Sequence, residues 1–168
     1  YGGPYEMIIT GENEIGLHNI LVGEVWVSSG QSNMEWPLSL TENAEQELLV
    51  SNYPKVRLFK VRRKAASDPS DDCIGKWDIC EPITVSGFSA VAYHFGTELY
   101  NKLKVPVGLI DASWGGSVAE AWIDMNVLKS HDEFNPIITK WNECLGKYQS
   151  IEKMMQEWSV YEDTIYNW

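Results

Sequence analysis

The chain has 168 residues, 44% hydrophobic and 22% charged, a composition that suits one globular domain able to bury a core. Its formal net charge of -11 argues against nucleic acid or an anionic membrane surface as a partner, because phosphates are repelled unless a basic patch compensates. No run approaches the eighteen or more apolar residues of a membrane helix, and no positively charged leader with an apolar core opens the sequence at Tyr1.

Residues 6–10 and 15–20 alternate or run apolar around the polar Gly11-Glu-Asn-Glu14, which predicts a β-hairpin. The apolar run 22–27 predicts a short buried strand, followed by Ser28-Ser-Gly-Gln-Ser-Asn-Met-Glu-Trp36. A strand that stops at Gly30 and turns sharply lifts a serine hydroxyl above the carboxyl edge of a sheet, where open α/β folds do their chemistry. Ser32 is therefore the candidate nucleophile. An acidic helix is predicted over 41–51 with Thr41 as its cap, then a strand over 56–61. The basic run 60–64 reads as a solvated strand end, and a Ser-, Asp- and Pro-containing loop follows over 65–72.

Val91, Phe95, Leu99 and Leu103 fall at helical spacing within 89–103, and 105–110 forms a compact apolar strand ending at Asp111. Strands separated by helices imply a parallel sheet with right-handed crossovers. Beyond residue 135, Ile138, Trp141, Leu145, Tyr148 and Met155 lie roughly along one face, which predicts one or two helices.

Cys73, Cys80 and Cys144 are odd in number, so at least one is unpaired within the chain. Cys73 and Cys80 flank Trp77 at a spacing open to a small loop disulfide or to two thiols. Neither Cys-x-x-Cys nor His-x-x-x-His occurs, so no zinc site or other metal is expected. Eight tryptophans and eight tyrosines suit stacking on sugar rings, and core packing accounts for them equally well.

Gly30-Gln-Ser32-Asn-Met34 lacks the second glycine of the α/β-hydrolase nucleophile elbow. Instead, Gly-Gln-Ser-Asn-Met-Glu-Trp after Val-Gly-Glu-Val-Trp resembles the first motif of the SGNH-type carbohydrate esterases, specifically the sialate O-acetylesterase family with its acetylxylan-esterase relatives. Seven residues in this order make the resemblance specific. It implies an SGNH-hydrolase, flavodoxin-like three-layer α/β/α fold with a parallel sheet, and no cofactor.

Two further segments extend the resemblance. Gly87, in Val85-Ser-Gly-Phe-Ser-Ala-Val-Ala-Tyr-His-Phe-Gly96, matches the family's second motif, whose glycine N–H joins that of the serine in the oxyanion hole, so Ser32 and Gly87 are the implied donors. A plain helix-entry glycine beside the cap Ser89 is the bland alternative. Residues 110–122 resemble the family's Ala-Ser-Trp-Gly-Gly-Thr-x-x-Glu-Ala-Trp stretch, with Ser117 in place of threonine. Trp114, Gly115 and Gly116, with Gln31 and Asn33 beside the serine, are the implied substrate contacts, while Glu120 and Trp122 are assigned to packing and local hydrogen bonds.

Two family blocks are absent. The general base of the family is the histidine of an Asp-x-x-His motif, yet His18, His94 and His131 are preceded three residues earlier by Ile15, Val91 and Leu128. His94 reads as a helix-face residue. The Trp-Tyr-Gln-Gly-Glu block is also missing. The resemblance thus implies the amino-terminal part of a longer esterase, with residues 1–20 as a hairpin remnant of a preceding β-sandwich domain and 21–168 as esterase domain. Its implied activity is removal of O-acetyl groups from sialic acid or related sugars in a periplasmic or extracellular setting. Exposed strand edges suggest a carboxyl-terminal chain completing the fold, or self-association. The competing reading is a non-hydrolytic carbohydrate-binding or scaffold protein on the same fold. A phosphate-binding flavodoxin-like domain is disfavoured, since the glycine loops are neither Gly-x-Gly-x-x-Gly nor a P-loop.

Overall fold

The computed structural model describes residues 1–64, 70–148, 150, 153, 154 and 156. They fall into two compact units, one of residues 1–63 with 73–116 and the other of residues 64–72 with 117–168.

The first unit begins with an antiparallel hairpin of β1 (Gly2–Thr10) and β2 (Glu14–Val22), paired from Thr10↔Glu14 outward. It is longer at both ends than the alternation predicts, because ladder bonds satisfy the backbone even where side chains stay in water; Ile8 is 64% exposed. Val22 ends this hairpin, so the strand carrying the serine motif starts later, at β3 (Glu24–Ser28).

A four-stranded sheet follows in the order β3-β6-β4-β5, with β4 spanning Tyr53–Lys60, β5 Trp77–Cys80 and β6 Val107–Asp111. The pairs β3–β6 and β6–β4 are parallel, as expected of strands joined through helices, whereas β5 pairs antiparallel with β4. The β5 strand is not among those predicted from apolar spacing. Four residues are too few to give a periodic signal; what holds them is tertiary, with the Trp77 ring 5.2 Å from that of Phe59.

After the short helix α3 (Pro82–Val85), the long helix α4 (Ala90–Leu103) crosses β6 and β4. Under it lies the core of Leu38, Val56, Leu58, Val85, Phe88, Tyr93, Val107 and Leu109. Alternation along β3 turns Trp26 to this side, where it meets Phe95 of α4 edge-on at 5.1 Å. Val25 and Val27 face the opposite way and are 60% and 66% exposed. The fold is mixed α/β with a mostly parallel sheet.

Two local expectations change. The helix placed at 41–51 is α2 (Ala44–Val50), entered through Asn43 in the left-handed region at φ 59° with no side-chain cap. Thr41 does not cap it: its hydroxyl donates back to the Leu38 carbonyl at 2.7 Å and closes the 3-10 turn Leu38–Leu40. Cys80 is a buried thiol rather than half of a disulfide, and its Sγ donates to the Ser51 carbonyl at 3.7 Å.

In the second unit the chain passes through a 3-10 turn (Ala119–Trp122) and α5 (Met125–Lys129), capped by the Asp124 carboxylate on Asn126 N–H at 2.8 Å. The helix α6 (Asn135–Tyr148) half-buries Ile138, Trp141, Leu145 and Tyr148, the expected face. Met155 and most of the loop at 65–72 lie outside the described residues. Among those described, no helix is long and apolar enough to cross a membrane.

Candidate active site

Ser28, Asp111 and Lys60 end three adjacent parallel strands in register, so the segments leaving β3, β6 and β4 emerge side by side at the carboxyl edge of the sheet. Backbone pairing continues past the strands. Ala112 N–H donates to the Ser28 carbonyl and Trp114 N–H to that of Gly30, each at 2.9 Å, while Val61 N–H donates to the Asp111 carbonyl at 2.9 Å. Gly30 sits at φ +144°, a conformation that side chains resist, and the chain reverses there into the short helix α1 (Ser32–Glu35). Ser32 is thereby exposed at the head of α1, between the exposed Gln31 and Asn33.

The segment leaving β6 is pinned from within. The Oδ1 atom of Asp111 accepts both the N–H of Ser113, at 3.0 Å, and its hydroxyl, which fixes the bend towards Trp114. Asp111 is 2% exposed and its Oδ2 has no partner among the described residues. Gly115 then passes so close to Ser32 that a Cβ there would stand 3.3 Å from Ser32 Oγ and would collide with the Glu35 carboxylate. Glu35 Oε2 accepts the Gly115 N–H at 2.5 Å, its Oε1 is ion-paired with Arg63, and the Arg63 guanidinium lies 5.8 Å from the Trp114 ring centre.

The third segment approaches from the other side. Leu38 N–H donates to the Phe88 carbonyl and Ser39 N–H to that of Ser86, both at 3.0 Å, and Ala90 N–H donates to Trp36 at 2.9 Å. The turn carrying Gly87 is thus stitched to the residues that follow α1. Gly87 is exposed, and Lys60 Nζ donates to its carbonyl at 2.6 Å. Ser89 caps α4 by accepting from Ala92 N–H at 3.1 Å.

The expected residues therefore gather unevenly. Ser32, Gln31, Asn33, Trp114 and Gly115 share the edge above β3 and β6, and the Gly87 turn is bonded to the continuation of the serine segment. Gly116 follows Gly115 and is exposed. Trp122 Nε1 donates to Ser117 Oγ at 2.8 Å, the local hydrogen bonding assigned to Trp122, within a stretch that closes as a 3-10 turn. No histidine bonds Ser32: His18 pairs with Glu6 at 3.2 Å, exposed His94 packs against Tyr93 with ring centres 5.0 Å apart, and His131 lies 4.0 Å from Glu133. Among the described residues no group of three His, Cys, Asp or Glu side chains is placed to hold a metal.

Four participants escaped the sequence reading: Glu35, Arg63, Lys60 and Asp111. The basic run 60–64 is not merely a solvated strand end, since Lys60 bonds the Gly87 turn and Arg63 meets both Glu35 of the serine segment and the Trp114 ring. Glu35 had a signal, standing three residues after Ser32 and hence on the same side of a helix.

Comparison with known proteins gives this geometry a lineage. No protein-family model matches the chain. The mouse sialate O-acetylesterase is 34% identical over 144 residues, which is 77% of this chain and 26% of that protein. The human sialate O-acetylesterase is 35% identical over 143 residues, 77% of this chain and 27% of that one. The chain is a homologue of the sialate O-acetylesterases. This homologue also superposes on the crystal structure of a carbohydrate acetylesterase from Xanthomonas citri with a TM-score of 0.74 and 37% identity, over 76% of this chain and 30% of that one. It spans about a quarter of the length of the curated sialate O-acetylesterases it matches.

Proposed function

We propose that this chain carries the nucleophile side of a serine esterase that removes O-acetyl groups from sialic acid or related carbohydrates. The observation that carries the reading is the meeting of exposed Ser32 with the Trp114–Gly115 segment at the carboxyl edge of the sheet, in a homologue of sialate O-acetylesterases. Ser32 Oγ attacks the acetyl carbonyl, and the N–H groups of Ser32 and Gly87 receive the oxyanion. The sugar lies against Trp114 with Gln31, Asn33 and Gly116 at its margins. Collapse of the tetrahedral adduct breaks the bond to the sugar oxygen, which leaves as the sugar hydroxyl by taking up the proton removed from Ser32, and the resulting acetyl-serine is hydrolysed by water to acetate and the free serine.

The proton of Ser32 needs an acceptor. None of the three imidazoles bonds it, so in this reading the base comes from residues other than these, and the chain alone turns over poorly. Loss of triad members in serine hydrolases costs about four to six orders of magnitude in rate. The same reading takes residues 1–20 as a hairpin module preceding the esterase portion, supported by their separate two-stranded ladder, and places the protein in a periplasmic or extracellular compartment where acetylated glycans occur. The missing base favours one alternative, a carbohydrate-binding protein without turnover.

Acetate release from an O-acetylated sugar, with free imidazole added as a substitute base, separates the two. The esterase reading expects imidazole-dependent release that Ser32→Ala abolishes. Equal rates in both proteins, with sugar binding retained, would leave the binding protein as the answer.

A further inference from the structure

We infer that Glu35 is a positioning residue for this reaction, one carboxylate that locks the nucleophile helix to the segments leaving two neighbouring strands; the inference rests on the esterase reading above. Its two oxygens divide the task. Oε2 accepts the Gly115 N–H at 2.5 Å, and Oε1 is ion-paired with Arg63, whose guanidinium lies over Trp114. Charge-assisted bonds of this kind hold geometry more strongly than neutral ones.

The arrangement completes a pattern. Beyond β6, Ala112 and Trp114 direct their N–H groups to backbone carbonyls of the serine segment, and Gly115 is the next residue along, with Glu35 as its acceptor. Glu35 closes α1, the four-residue helix that Ser32 opens, so Ser32 and Glu35 move as one piece. The spacing between Ser32 Oγ and the Gly115 backbone is therefore set by the Glu35 bond. Because that bond occupies the Gly115 N–H, Gly115 serves as a wall beside the reacting carbonyl and not as a third oxyanion donor. Arg63, three residues beyond the end of β4, pairs with the second Glu35 oxygen and lies over the Trp114 ring, so the same carboxylate is tied to the segment leaving β4.

The role predicts a specific split. A loosened wall leaves sugar contacts in place but lets the attacking oxygen drift, and displacements of about 1 Å cost on the order of a hundredfold in rate. The test uses the full chain with 15N-labelled glycine, following amide exchange at Gly115, together with imidazole-supported acetate release. Glu35→Ala should speed Gly115 exchange at least about tenfold and lower kcat about ten- to hundredfold, with KM within about twofold. Glu35→Gln, which keeps an oxygen for Gly115, should retain the slow exchange and recover most of kcat. Arg63→Gln should fall between them and guards against a folding defect at position 35. Unchanged exchange in Glu35→Ala, or a loss confined to KM, would overturn the assignment. Loosened exchange in a protein whose wild type shows no Ser32-dependent release would instead sink the esterase reading, and with it any catalytic positioning role for Glu35.

Discussion

The ammonium of Lys60 donates to the carbonyl of Gly87 at 2.6 Å, tying the end of β4 to the turn that precedes α4. This bond holds the peptide following Gly87, and so restrains the orientation of the Gly87 N–H assigned to the oxyanion. Lys60→Met should lower Ser32-dependent acetate release about tenfold or more through misplacement of that donor. Lys60 is exposed, so unfolding free energy should change by no more than about 0.5 kcal/mol. A rate equal to wild type would remove Lys60, and the need for a fixed Gly87 turn, from the account.

Gly115 leaves no room for a side chain. An added Cβ meets the Glu35 carboxylate and stands 3.3 Å from Ser32 Oγ, so Gly115→Ala must displace one of them. Overpacking at such a point costs about 1–3 kcal/mol, and urea titration should show a loss in that range with the denaturant slope unchanged. Reactivity of Ser32 should fall in parallel. Full stability together with full reactivity would mean that the close approach is not maintained in solution.

The motif segments were legible in the sequence because backbone geometry dictated their composition. Gly30 at positive φ and Gly115 at close approach are positions where another residue would strain or collide, and such needs leave a readable mark. The helix over 90–103 and the parallel strands β4 and β6 beneath it were legible from apolar spacing, while the short β5 was not. What stayed hidden was cross-chain: Arg63 on Glu35 and Lys60 on Gly87 join residues 28 and 27 apart, and nothing in a basic run announces which carbonyl or carboxylate it will meet. Asp111 was read as the last residue of a strand, and its hold on Ser113 became visible only once the bend was built. The start of α2 was misread because the Thr41 hydroxyl donates back to the Leu38 carbonyl instead of accepting an N–H of the helix to come.

Gly146 offers a contrast within α6, since a Cβ there would meet nothing within 4 Å. Its backbone is helical, so alanine adds no strain and removes freedom from the unfolded chain. Gly146→Ala should stabilise the protein by about 0.5–1 kcal/mol without altering Ser32 reactivity. Circular dichroism melts would show a small rise in midpoint; a fall would mean that residue 146 is not in a regular helical turn.

Alkaline pH should expose a weakness in the core beneath α4. Tyr93 is fully buried, and burial, reinforced by its hydrogen bond to Glu47 at 2.8 Å, holds its hydroxyl protonated well above the ordinary value of 10.0. Burial likewise pushes the Cys80 thiol from 9.0 up to about 12. Both groups are neutral when protonated, and the folded state holds those protons more tightly than the unfolded chain. Their contribution is therefore fully present below about pH 9 and is lost as pH rises, first through Cys80 between about 9 and 12 and then through Tyr93 from about 10 upward. Each group adds up to about 1.4 kcal/mol of lost stability per pH unit within its window. Denaturant titrations at about pH 8, 9.5 and 10.5 should show this decline in the wild type. Cys80→Ala and Tyr93→Phe each start from lower stability, through a lost packing contact or a lost hydrogen bond of about 1 kcal/mol, so the slope with pH is the diagnostic quantity. A shallower alkaline slope in each variant is the expected result. Slopes identical to wild type in both would show that neither group is buried as described, and that the Tyr93–Glu47 contact does not form in solution.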